Sequence, residues 1–172
     1  MRRLVPLFGI VLSAAGPANA AVTISRSPAL APDLGKIVSG SQATTFSVST
    51  NGVVTRTSGD AIRISTSNVT VPTVTISCIL DNLDLCGLRQ MRVTIQPVTS
   101  TGPASIVLFR VGSLTPGTFR DGTPVAAASM SFVLNAFGYG TATFKLGMDA
   151  KLAAQAVSGQ TPFNYTVSVT LL

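Results

Sequence analysis

FNYTVSVTL, residues 163–171, alternates without a break. Phe163, Tyr165, Val167, Val169 and Leu171 fall on one side, and Asn164, Thr166, Ser168 and Thr170 on the other. Successive side chains of a strand point to opposite faces, so this run predicts a β-strand with one face on a core and one in water. The same period of two recurs along the chain. Residues 43–48 place Phe46 and Val48 together, and 61–66 place Ile62 and Ile64 together with Arg63 opposite. Residues 73–80 align Val74, Ile76, Cys78 and Leu80. Residues 91–98 align Met91, Val93, Ile95 and Pro97, and 130–134 align Met130, Phe132 and Leu134. Residues 142–148 align Ala142, Phe144, Leu146 and Met148. The expected core draws on these faces, with Val107 and Phe109 added. The many β-branched residues agree, because they fit a pleated surface.

Turn signals punctuate the runs at short spacing. They include Asn51-Gly52, Ser58-Gly59-Asp60, Thr115-Pro116-Gly117 and Arg120-Asp121-Gly122. Asn51-Gly52 between two apolar runs predicts a hairpin, since both residue types tolerate positive φ. Residues 149–157, DAKLAAQAV, fit one or two helical turns by alanine content and a strand by alternation; the strand is the preferred reading. Many short strands with such punctuation predict an all-β domain, a sandwich or a partly closed barrel.

The first twenty residues, MRRLVPLFGIVLSAAGPANA, begin with two arginines, continue with an apolar stretch and end in Ala18-Asn19-Ala20. That is the three-part pattern of a secretory signal with an A-x-A cleavage site. The apolar stretch falls short of the roughly 20 residues that span a bilayer. Export is therefore expected, with 1–20 as signal peptide, 21–172 as one domain and no transmembrane segment after processing. The cell surface, the periplasm or the extracellular space would be its location.

Composition narrows the function. There is no histidine, and all six acidic residues are aspartates. Ser-His-Asp and Cys-His chemistry are absent, along with the commonest general base near neutral pH. Asp33, Asp60, Asp121 and Asp149 sit near glycines or turns, where aspartate accepts hydrogen bonds from backbone amides. No catalytic residue, metal site or cofactor is expected, and the chain is read as no enzyme. The arginines are scattered, so no nucleic-acid footprint forms. Tryptophan is absent, which disfavours an aromatic carbohydrate platform.

The two cysteines lie in SCILDNLDLCGL, residues 77–88, with Asp81 and Asp84 between them. Two thiols without histidine make a poor zinc set, and the twelve-residue calcium loop with its terminal glutamate is missing. An exported chain pairs such cysteines, so a Cys78–Cys86 disulfide is expected to clamp a short turn between two strands. Closing so short a loop is worth roughly 2–3 kcal/mol in the chain-entropy model.

The stretch DLGKIVSGSQATTFSVSTNGVVTRTSGDAIRIS, then PTVTISC, VTI and a late TATFKLGMDAKL, resembles a bacterial secreted pilin-like family, the domain of unknown function numbered 4402. Leu34, Gly35, Gly40, Gly52, Gly59 and Gly147 carry the match, which runs from about Pro32 to Leu172. Many members have an aromatic residue before the first glycine, where this chain has Leu34. The resemblance implies an immunoglobulin-like or pilin-like β-sandwich acting structurally or adhesively at the cell surface, as a fimbrial-like subunit whose partners are copies of itself or related subunits. Strand donation between subunits needs an apolar N-terminal key. Mature AVTISRSPAL offers Val22 and Ile24, then Arg26 and Pro28; it reads either as a short donor strand or as the domain's own first edge strand. The alternative function is a monomeric binding module for a glycan or envelope component, with a groove near Arg120-Asp121 and Gly138-Tyr139-Gly140.

Overall fold

A computed structural model describes residues 22–78, 86–99, 102–138, 140–156 and 163–172. Residues 1–21, the whole loop 79–85 between the cysteines with Leu80, Asp81 and Asp84, Tyr139 and residues 157–162 lie outside the described residues. The architecture is all-β. Its strands are β1 (Val22–Ser27), β2 (Ile37–Val38), β3 (Thr44–Val48), β4 (Val54–Ser58), β5 (Ile62–Arg63), β6 (Thr73–Cys78), β7 (Met91–Pro97), β8 (Ala104–Val111), β9 (Met130–Leu134), β10 (Gly140–Leu152) and β11 (Tyr165–Leu171).

β10 organises the fold. Gly140–Lys145 pair with β6, and Met148–Leu152 pair with β3, so β6 and β3 succeed one another along one edge. The other edge carries β8 from Leu146 to Leu152 and then the bridge Thr115↔Thr143. β1 lies outside β6 and β4 outside β3, all antiparallel. A second sheet, β11-β7-β9, covers the inner face. Between the sheets lies the main core, in which Val74, Ile76, Met91, Val93, Ile95, Phe109, Leu134, Leu146 and Met148 are fully buried. Phe119, Phe132 and Phe144 meet edge to face, at 5.5 and 5.8 Å between ring centres. A smaller core of Leu34, Phe46, Val48, Ala61, Val71 and Ala150 sits beside the second half of β10.

Apart from Pro97, exposed at the end of β7, and Val133, buried on the other face of β9, the alternation read from sequence holds for β3, β6, β7, β9, β10 and β11. β10 runs through Leu152, as the strand reading of residues 149–157 expected for its first part. Two expectations fail. Ile62 and Ile64 are not core residues but about 60% exposed. The β2–β5 ribbon is turned over, because Arg63 is the inner residue: its Nε donates to the Leu34 carbonyl at 2.7 Å and its NH2 to that of Ser67 at 2.9 Å. Val107 is only half buried. The register of β8 against β10 passes from Leu108 to Ile106 and skips Val107, a bulge that puts both Ile106 and Phe109 inward.

The Asn51-Gly52 hairpin forms between β3 and β4, with Gly52 alone at positive φ, +81°. Gly52 N donates to Ser49 O and Ser49 N to Val53 O, the pattern of a type I turn closed by a glycine bulge. Gly147 answers a different need. A Cβ there would lie 2.6 Å from the Val48 carbonyl oxygen, where the hairpin crosses β10. Thr44, fully buried, ties the base of this region together. Its Oγ1 accepts from Asp60 N at 3.1 Å and Ala61 N at 3.0 Å and donates to Gln42 O at 3.2 Å.

Candidate functional site at the N-terminal seam

The two features singled out in the sequence, the cysteine pair and the N-terminal strand, meet in space. Cys78 is the last residue of β6, with Val22 as its partner on one side and Gly140 on the other. Cys86 opens a single 3-10 turn, Cys86–Leu88, and is joined to Cys78 by a disulfide with Cα atoms 5.9 Å apart. Both cysteines are buried in the main core. Gly87 O then accepts from Gly138 N, fastening the turn to the segment ahead of β10. The disulfide thus fixes the end of the strand on which β1 docks.

β1 is a sheet-edge strand of its own domain. Val22, Ile24 and Arg26 are its half-buried residues, and Thr23, Ser25 and Ser27 are exposed. Val22 and Ile24 pack on the main core. Arg26 occupies the third inward position, where the alternation of Val22 and Ile24 carries on by two residues. Its guanidinium lies 4.7 Å from the centre of the Tyr165 ring and donates to the Tyr165 carbonyl at 2.7 Å. β1 also touches β11, so Arg26 bridges the edges of the two sheets. The sequence marked Arg26 as an interruption of an apolar key; the structure makes it the residue that closes the seam.

Tyr165, 1% exposed, stands 6.0 Å from the Phe109 ring. Its hydroxyl is buried with no hydrogen-bond partner among the described residues. Burial pushes the phenol above its ordinary pKa, while the nearby Arg26 charge and contact work the other way.

The remaining aspartates divide. Asp33 accepts from Gly35 N and Asp60 from Ser41 N and Gln42 N, as expected of turn residues. The Gln42 amide, with the Ser41 hydroxyl and amide, holds the Asp60 carboxyl below its usual range. Asp121 pairs with its exposed neighbour Arg120. Asp149 is no turn residue. It sits within β10, nearly buried, and takes both arms of Arg110 from β8, the NH2–Oδ2 arm at 3.0 Å. That contact raises the Arg110 pKa against the opposing effect of burial.

Among the described residues no group of three aspartates or cysteines is placed to hold a metal ion, and no helix is long and apolar enough to cross a membrane. A shallow hollow of about 310 Å³ opens beside Asp121, Thr123, Val125 and Ser131, near the loop singled out for a groove. No protein-family model matches the chain, and neither does any curated protein or solved structure.

Proposed function

We propose that the chain is an exported structural subunit of the cell surface, assembled by passing its N-terminal strand to a neighbouring copy. The observation that carries this is the placement of β1. It sits at a sheet edge, pairs with β6 alone, and presents Val22, Ile24 and Arg26 to the seam between the sheets. An edge strand is the element most readily supplied by another chain, because main-chain bonds give affinity and alternate side chains give register. Residues 28–36, which follow β1, contain no strand; extended, nine residues reach up to about 30 Å, enough to cross to an adjacent molecule. The buried Cys78–Cys86 disulfide agrees with export, since such bonds persist in oxidising compartments.

Ser25 and Thr75 are register partners on the outer face. A Ser25→Cys chain mixed with a Thr75→Cys chain, unfolded, refolded together and oxidised, should give an interchain disulfide between positions 25 and 75 in mass mapping. The double variant in one chain reports the closed form. Closed-form crosslinks in the double variant, with no interchain crosslink in the mixture at any concentration, would refute strand exchange.

A further inference from the structure

We infer that the outer face of β1-β6-β10, with the hollow at its end, is a binding surface for a carboxylate-bearing polysaccharide chain. The registers set hydroxyl side chains in rows across three strands. Thr23, Ser77 and Thr141 form one row, and Ser25, Thr75 and Thr143 the next, which Thr115 extends through its bridge to Thr143. Ser27, Thr73 and Lys145 form the third. The inward residues of the two central strands, among them Val74, Ile76, Ala142 and Phe144, are buried, so the rows face out. Neighbours lie about 4.8 Å apart across strands and about 6.7 Å apart along them. Each hydroxyl offers one donor and two acceptors. Of the hydroxyls in these three rows, only that of Thr143 is directed to a protein group among the described residues, to Thr115 O at 3.1 Å.

The opposite sheet provides an internal comparison. Its outer rows are broken by Gln96, Arg92 and Val133, and its central hydroxyls, Thr94 and Ser131, approach each other at 3.4 Å. The β11-β7-β9 sheet therefore lacks the unbroken hydroxyl field of β1-β6-β10.

The third row runs into a hollow of about 400 Å³. It is lined by Thr50 and Asn51 of the β3–β4 turn, by Ser113 and Thr115, and by Thr73 and Lys145. Lys145 is exposed and makes no ion pair among the described residues. No carboxylate lines the hollow. The field thus suits a partner rich in hydroxyls, and the Lys145 ammonium at its end suits an anionic group carried by that partner. Strands in a sheet rotate by roughly 20–25° each, so three of them follow a flexible chain better than a flat rigid lattice. A glycan built from uronic acids has these properties. The surface does not depend on strand exchange, since a donated β1 in the same register rebuilds the same rows.

Affinity electrophoresis of the purified mature chain tests this, with polygalacturonate as the acidic probe and dextran as the neutral one. Polygalacturonate should retard the protein and dextran should not. Lys145→Gln, and separately the pair Thr75→Val with Thr143→Val, should each weaken retardation by about five-fold or more, the equivalent of about one hydrogen bond. Thr166→Val with Ser168→Ala, on the other sheet, should change it less than about two-fold, below one such bond. Near-UV circular dichroism confirms folding; a variant that misfolds is replaced by Thr75→Ala with Thr143→Ala. No retardation by polygalacturonate, equal retardation by dextran, or equal loss in the control pair would each overturn the assignment.

Discussion

Arg26→Met isolates the seam from the rest of the fold. Methionine keeps an unbranched chain against the Tyr165 ring and removes the charge and the donor. The lost hydrogen bond to the Tyr165 carbonyl is charge-assisted, a class worth about 1.5–3 kcal/mol. The lost ring contact adds about 0.5–2 kcal/mol. Arg26 is half buried, so solvent screening brings the sum towards the lower end, about 1.5–3 kcal/mol. The loss should fall on the local opening of β1, because β6 keeps its pairing with β10. Each 1.4 kcal/mol is a factor of ten in an equilibrium constant. Native-state hydrogen exchange should therefore show the β1 amides losing protection by about ten- to hundred-fold, with the central β6–β10 amides changed far less. Exchange of β1 between chains should speed up with it, since the closed form opens more often, while the swapped population at equilibrium stays the same because a donated strand loses the same contact. Unchanged protection in β1, or an equal loss in β6 and β10, would refute the view of Arg26 as the seam's fastening.

Two further outcomes follow from buried oxygens. Tyr165→Phe removes a hydroxyl that has no partner among the described residues, so at pH 7 it should leave stability unchanged or raise it by up to about 2 kcal/mol in urea unfolding. Because the phenol's pKa is raised in the folded state, wild-type stability should fall as pH rises through about 10, the unfolded-state value, towards the folded one. The Phe variant should lack that decline; an identical alkaline loss would count against burial as its cause. Thr44→Val strands the amides of Asp60 and Ala61 and should cost about 2–4 kcal/mol, a fall in Tm of roughly 5–15 °C for a domain of this size. Thr44→Ser, which keeps the oxygen and loses one methyl, should cost about 1 kcal/mol; equal losses in both variants would show that packing, not the oxygen, matters there.

The strands that carry the core were legible because a period of two is a local property. Val74-Ile76-Cys78 and Phe144-Leu146-Met148 announce their inward faces without reference to anything distant. Alternation gives two faces, however, and does not say which one meets the core. For Ile62 and Ile64, hydrophobicity pointed inward. The outcome was set by two carbonyl oxygens, those of Leu34 and Ser67, that draw Arg63 underneath. The bulge at Val107 reverses the face of β8 in mid-strand, and its cause is the register against β10, which no short window contains. The disulfide was legible from the cysteine count together with the expectation of export. That Cys78 would stand beside Val22 was not, because it depends on β1 choosing β6 among several possible edges. Arg26 carried a signal that was open to a stricter reading, since it occupies the next inward position after Ile24. The hydroxyl rows were invisible for the same reason as the seam: Thr75 and Thr143 are far apart in the chain and become neighbours only through pairing.

β10 has a mechanical consequence. It contributes Phe144, Leu146 and Met148 to the main core and Ala150 to the smaller one, without interruption. It joins the two as one continuous strand, clamped by β6 and β3 on one edge and β8 on the other. The two cores share one rod but hang from different rungs of it: Met148–Leu152 can release β3 while Gly140–Lys145 keep their bonds to β6. A domain under tension would then have two steps open to it, the smaller core yielding first while the larger one still holds.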